Sequence, residues 1–337
     1  MEKVKIGIVG LGRLGMHHAQ NLQYKVRNAE LTAACSLVPE ELEAARKRLG
    51  VQETYTDYAV MLENKALDAV FIASSTSEHA GHIAAAMKAG FHVFSEKPIA
   101  LETAECLRVQ KVVETHRQQV FMLGFQRRFD PSYTYAKEKI EANAIGTPFL
   151  VRSQTSDLDK YAEFQVAFTQ ASGGIFLDAN VHDIDLARWY LKSELESVYA
   201  IGGCYEHKAF EQYQDADNTT ALCRFKNGTM ATISASRTAM HGHHTTTEIL
   251  GTKGILRIGY TPAINRVEIL DHYGVRQECV DDFYTRFETA FLLEAEEFIN
   301  CIVEGRKPEI TAEDGTRATE AAIALTRSYK ENTLIRL

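Results

Sequence analysis

The sequence predicts an α/β protein in two parts: a doubly wound parallel sheet, then an α+β domain on a large, mostly antiparallel open sheet. Three observations carry this. Over residues 1–123, short apolar runs alternate with helical patterns of ten or more residues, the rhythm of parallel strands joined by crossover helices. From Gly124 the rhythm breaks, and strand-like runs separated by tight turns dominate through residue 270. A length of 337 residues supports two cores of ordinary size rather than one. The expected domains are therefore 1–123 and 124–337, with the final helices free to pack back on the first.

Composition narrows the class. A net charge of −8 leaves no basic field to recruit nucleic acid, so Phe129, Tyr133 and Tyr135 read as core or interface rather than as a base-stacking platform. Six scattered cysteines without C-x-x-C spacing suit free thiols in a reducing cytosol better than a disulfide framework or zinc site. The apolar run Val4 to Gly10, broken by Lys5, is too short for a signal segment, and no stretch could span a bilayer. A cytoplasmic protein with no membrane or nucleic-acid partner is expected.

The first strand, Val4-Lys5-Ile6-Gly7-Ile8-Val9, runs into Gly10-Leu11-Gly12-Arg13-Leu14-Gly15 and then a helix from Met16 to about Tyr24. A strand, G-x-G-x-x-G and a helix in that order form a dinucleotide-binding turn. Gly10 permits the tight turn, Gly12 lets the backbone approach a pyrophosphate, and Gly15 lets helix and strand pack closely. The helix start offers free N–H groups to the phosphates. The second strand, Leu31 to Cys35, should end in an acid for the ribose 2′-hydroxyl, but the position is Ser36. A serine can hydrogen-bond a ribose hydroxyl yet does not repel a 2′-phosphate, and no arginine follows immediately. NAD is favoured, and the serine leaves room for NADP.

The next strand, Leu67 to Ala73, leads to Ser74-Ser75-Thr76-Ser77, a hydroxyl loop placed to line a cofactor cleft, with Thr76 or Ser77 also able to cap the following helix. That helix, about Glu78 to Lys88, carries His79 in its first turn. The strand Gly90 to Ser95 then stops at Glu96-Lys97-Pro98, a lysine at the carboxyl end of a parallel strand, where open sheets bind ligands. A helix from Thr103 to His116 and a strand from Gln119 to Leu123 complete the series.

In the second half, a helix is expected over about Ser132–Glu141. Strands follow over Phe149–Thr155, Val198–Cys204, Thr219–Phe225, Thr229–Ala235, Thr247–Leu250, Ile255–Ile258 and Val267–Leu270, with Asn227-Gly228 as a hairpin turn. Two last helices span about Phe287–Glu304 and Glu313–Lys330. One inserted helix, near Asp178–Leu191, is announced by Ser172-Gly173-Gly174 and carries Asp178, His182 and Asp185 at helical spacing on one face. An Asp–His pair suits removal of a hydroxyl proton, since imidazole accepts it near neutral pH while a carboxylate orients the ring. The same spacing also suits a helix-stabilising pair or part of a metal site. His241, His243 and His244 resemble a metal cluster but read as a loop lining the substrate side, and His17 and His18 as surface or packing residues.

Together, the glycine motif, Glu96-Lys97-Pro98, Gly124-Phe125-Gln126-Arg127-Arg128-Phe129-Asp130 and Gly173-Gly174 through Asp185 resemble the Gfo/Idh/MocA family of nicotinamide-dependent oxidoreductases, and within it the inositol 2-dehydrogenases. The resemblance implies a Rossmann domain followed by an open-sheet domain that assembles dimers or tetramers. It implies that Lys97 hydrogen-bonds the reacting oxygen, His182 is the general acid/base, Asp178 assists it, and Arg127 and Asp185 bind neighbouring hydroxyls. Gly10, Gly12, Arg13, Leu14, Gly15, Ser36, Ser74, Ser75, Thr76, His79, Glu96 and Lys97 would surround the cofactor, and no metal is required. The implied reaction is reversible oxidation of a ring alcohol of a cyclic polyol. A related sugar dehydrogenase or reductase, glycoside cleavage with retained NAD, and a non-catalytic redox sensor are the rival readings.

Overall fold

The structure, a computed structural model, describes residues 3–337. The chain divides into two units: residues up to Phe129 with Thr289–Thr319, and Asp130–Glu288 with Glu320–Leu337.

The first unit alternates strand and helix as β1 (Val4–Val9), α1 (Arg13–Tyr24), β2 (Ala29–Cys35), α2 (Pro39–Leu49), β3 (Glu53–Tyr55), α3 (Tyr58–Met61), β4 (Ala69–Ile72), α4 (Thr76–Ala89), β5 (His92–Glu96), α5 (Thr103–Thr115) and β6 (Phe121–Gly124). Every strand pair is parallel and the order is β3-β2-β1-β4-β5-β6. The order reverses between β1 and β4, so the carboxyl ends of those strands flank the switch point where open sheets take ligands. β4 and β6 are buried at every residue, as strands covered on both faces must be, which is why they read as unbroken apolar runs. The core stacks Phe71 on Phe94, ring centroids 3.9 Å apart, and adds Ile6, Ile8 and Phe298.

In the second unit the elements are α6 (Pro131–Glu141), β7 (Pro148–Leu158), α7 (Ala162–Ser172), α8 (Ile175–Asp178), α9 (Val181–Leu191), β8 (Leu195–Gly203), β9 (Asn218–Phe225), β10 (Met230–Ala239), β11 (His244–Gly251), β12 (Gly254–Ile258), β13 (Ile269–Asp271) and β14 (Gly274–Arg276). The chain closes with α10 (Phe283–Glu304), α11 (Ala312–Glu331) and β15 (Ile335–Arg336). Seven strands form one sheet, β12-β11-β7-β10-β9-β8-β15, antiparallel except where β10 runs parallel to β7. One face of β9 and β10 is buried at alternate residues, and α9 is buried throughout except Trp189.

Three expectations change. The run Val267–Leu270 contributes only β13, which pairs with β14 in a separate, exposed two-stranded hairpin outside the main sheet. The helix expected over Asp178–Leu191 is two helices: Ala179 and Asn180 keep right-handed helical φ/ψ, but α8 ends before them and α9 starts after them. A helix over Ala162–Ser172, closed by Gly173 at φ +80°, precedes them without having been anticipated. Among the described residues no helix is long and apolar enough to cross a membrane.

Candidate active site

The glycine turn is built by exclusion of side chains. A Cβ at Gly10, where φ is +87°, would sit 2.4 Å from the Ala73 carbonyl oxygen, and one at Gly15 would sit 2.0 Å from that of Gly10. Those two glycines let β1, α1 and the end of β4 touch through backbone. Gly12 differs: a Cβ there would meet nothing within 4 Å, so its missing side chain serves open space rather than packing. Arg13 and Leu14 open α1 directly after it, and the first turn holds no acid to compete with a phosphate for the free N–H groups. This cradle fits the pyrophosphate of a dinucleotide.

Around it, Ser74 closes against His82 Nδ1 at 3.0 Å, and Ser75, not Thr76 or Ser77, is the α4 cap residue, making no side-chain cap bond. His79 is buried, with Nδ1 2.8 Å from the Pro98 carbonyl oxygen and Nε2 3.0 Å from that of Ser74. Burial pushes its pKa down, so the neutral ring donates to only one of the two carbonyls. The ring lies between the Ser74 loop and the segment after Lys97 and hydrogen-bonds one of them. Glu96 turns inward too, with Oε1 2.7 Å from His18 Nε2 and Oε2 accepting the Lys97 backbone N–H at 3.2 Å. Lys97 itself is half-buried at the end of β5. Ser36 follows β2, its hydroxyl donating to Glu41 Oε2 at 2.5 Å. Arg127 is buried in a short 3-10 turn after β6, where its neighbour Arg128 pairs with Asp314 at 3.0 Å.

The second unit carries Asp178, His182 and Asp185. Gly174, at φ +86°, starts α8 with the Ile175 N–H donating to Asp215 Oδ1 at 3.1 Å, and Arg237 clamps Asp215 from behind at 2.7 Å. Asp178 is half-buried at the end of α8, while His182 and Asp185 lie one turn apart on α9, 7% and 1% exposed. The shared face inferred for all three therefore holds strictly for His182 and Asp185, since Asp178 precedes the break. Asn180 makes that break, sending its amide to Asp183 Oδ2 at 2.8 Å and to the Ser234 carbonyl at 3.0 Å. Asp183 also accepts the hydroxyls of Ser153 at 2.6 Å and Thr155 at 2.8 Å, which bolts α9 to β7.

Comparison with known proteins agrees with this architecture. Residues 4–125 match the oxidoreductase family with an NAD-binding Rossmann fold, and residues 133–257 match the GFO/IDH/MocA C-terminal domain. The chain is 35% identical to scyllo-inositol 2-dehydrogenase (NAD(+)) of Bacillus subtilis over 99% of its own length and 96% of that protein's. The chain belongs to the Gfo/Idh/MocA family. Among solved structures it is similar to scyllo-inositol dehydrogenase from Lactobacillus casei with bound NAD(H) and scyllo-inositol, at 42% identity and a TM-score of 0.97, covering 99% of both chains. It is also similar to myo-inositol 2-dehydrogenase from Lactobacillus plantarum, at 36% identity and a TM-score of 0.97 over the whole of both chains. As a Gfo/Idh/MocA protein it is an NAD-dependent oxidoreductase acting on CH–OH groups.

Two side chains in this family member have partners that the sequence did not show. Asp183 lay inside the His182–Asp185 motif unassigned, and its anchoring role depends on hydroxyls about thirty residues earlier. His18 is fully buried among Phe71, Phe94 and Phe291, within 4.0 Å of Glu294 as well as bonded to Glu96. Among the described residues these three are the only group of potential metal ligands that converge within 4.8 Å. Burial, then the nearby charge of Glu96, pushes the Glu294 pKa well up. Within the cluster the one hydrogen bond is the 2.7 Å contact between His18 and Glu96, and Glu294 lies 4.0 Å from the same imidazole nitrogen. The later histidines disperse: His243 bonds Asp157 at 2.9 Å, while His241 and His244 face each other at 3.1 Å.

Proposed function

We propose that this chain oxidises a ring secondary alcohol of an inositol, scyllo or myo, to the corresponding ketone. The observation that supports this most is the full-length likeness to an enzyme solved with NAD(H) and scyllo-inositol, in a chain that has Lys97, Asp178 and His182. Bound NAD supplies the hydride acceptor. Gly12 and the start of α1 bind its pyrophosphate, with Arg13, Leu14, Ser74, Ser75 and Thr76 bordering that cradle. Lys97, carried at the end of β5, donates a hydrogen bond to the substrate oxygen as it gains alkoxide character. His182 removes the hydroxyl proton, and Asp178 favours the imidazolium that forms. Arg127 and Asp185 meet further ring hydroxyls, which need polar partners once water is excluded.

The outer face of the second unit's sheet exposes Ile201, Leu222, Met230 and Ile255, one apolar residue on each of four strands, which suits burial against a second copy. A homo-oligomer formed through that face is part of the reading.

The test is purified protein with NAD and a panel of inositols and hexoses, followed by nicotinamide absorbance. Turnover of scyllo- or myo-inositol is expected, with Lys97→Met and His182→Ala each lowering kcat at least 100-fold while NADH still binds. Hexose turnover without inositol turnover would move the substrate to the sugars. Near-parental rates in either variant would remove that residue from the chemistry.

A further inference from the structure

Family resemblance calls for an acid at the end of β2, and the sequence supplies Ser36. The fold nevertheless brings a carboxylate to that place. The Ser36 N–H is spent on the Tyr55 carbonyl at 3.1 Å, and its hydroxyl accepts the Val38 N–H at 3.1 Å and donates to Glu41 Oε2 at 2.5 Å. The hydroxyl proton is therefore committed to Glu41. Glu41 Oε1 has no partner among the described residues, and the side chain is half-buried in the first turn of α2.

The charges around it point the same way. A helix amino terminus attracts phosphate, but the first turn of α2 carries Glu40 and Glu41. The basic residues of that helix, Arg46, Lys47 and Arg48, lie in its last turn, where Lys47 pairs with Glu43 at 2.8 Å and Arg46 bonds Thr54. The start of α2 is thus an acceptor of hydroxyl protons and repels a dianion.

We propose that Glu41, held by Ser36, replaces the missing strand-end acid: Oε1 accepts the 2′-hydroxyl of the adenosine ribose, and the carboxylate excludes the 2′-phosphate of NADP. Ser36 is then a positioning residue and Glu41 the specificity determinant. The proposal rests on the chain's binding a nicotinamide dinucleotide and is independent of the inositol assignment.

The test is direct binding of NADH and of NADPH to the full-length protein by calorimetry, alongside thermal melting. Glu41→Gln should weaken NADH about tenfold, the loss of one hydrogen bond to a charged acceptor, and should tighten NADPH. Ser36→Ala should fall between parent and Glu41→Gln. If Glu41 only closes the first turn of α2, Glu41→Gln will melt lower yet keep the parental NADH affinity and NADPH/NADH ratio, and the proposal is overturned. Should Glu41→Gln not fold, Ser36→Asp/Glu41→Ala, with the acid moved onto the strand end, must retain NADH selectivity. Loss of selectivity there also overturns it.

Discussion

Gly12 and Gly15 look equivalent in the motif but should fail in different ways. Gly15→Ala places a methyl 2.0 Å from the Gly10 carbonyl oxygen, about 1 Å inside the 3.0 Å that real Cβ atoms keep. The obstacle is backbone, which cannot swing aside, so α1 must shift off β1. Overpacking of this kind costs roughly 1–3 kcal/mol, and for a unit of this size that lowers the melting temperature by roughly 2–12 °C. Gly12→Ala has no neighbour within 4 Å and sits at φ −59°, ψ −169°, a negative φ at the margin of the extended region and outside the left-handed one that favours glycine. Its melting temperature should stay within about 2 °C of the parent or rise slightly, since alanine lowers the entropy of the unfolded chain. The added methyl stands where a pyrophosphate would approach, so NADH affinity should fall roughly tenfold or more, for a misfit of about 1–3 kcal/mol. Differential scanning fluorimetry and NADH fluorescence titration measure the two effects separately. If Gly12→Ala binds NADH within twofold of the parent, or melts as far below it as Gly15→Ala, the division of roles is wrong.

Two further outcomes follow. Glu294 has a raised pKa, so the folded protein binds its proton more tightly than the unfolded chain does. That contribution is complete below the unfolded value of about 4.3 and is lost as pH rises toward the folded one. Glu294→Gln cannot ionise, so its melting temperature relative to the parent should climb as pH is raised above about 4.3 until the folded value is passed, and a difference independent of pH would contradict the raised pKa. Leu222, 63% exposed on the sheet's outer face, tests assembly. Leu222→Asp should reduce the mass seen by light scattering toward the 37.7 kDa of one chain, and an unchanged oligomer would place the interface elsewhere.

Most of the first unit could be read because its signals are local. Alternating apolar runs mark strands buried on both faces, and glycine spacing marks where backbone must meet backbone. What escaped depends on partners remote in the chain. Ala179 and Asn180 are acceptable helix residues, and at the break Asn180 instead sends its amide to Asp183 and to the Ser234 carbonyl. Ser36 could be seen as a missing acid, but nothing in the spacing shows that the turn into α2 returns Glu41 to it. His18 had the aspect of a packing residue, and so it is. Its link to Glu96 and Glu294 needs residues from three separate stretches of chain. β3, with three residues, is too short to carry a pattern at all.

The parallel pairing of β7 with β10 has a bearing on how the molecule is made. Ser153 lies beside Ile233 in a register no tight turn can produce, so α7, α8, α9, β8 and β9 must all be traversed before β10 can join. Asp178, His182 and Asp185 ride in that traverse. It is pinned at both shores: Asp183 holds hydroxyls on β7, and Asn180 holds a carbonyl on β10. Closing so long a loop costs entropy before its contacts repay it. The helix that carries His182 is therefore anchored on both sides only when β10 is in place beside β7, because one of its anchors is a carbonyl of that strand.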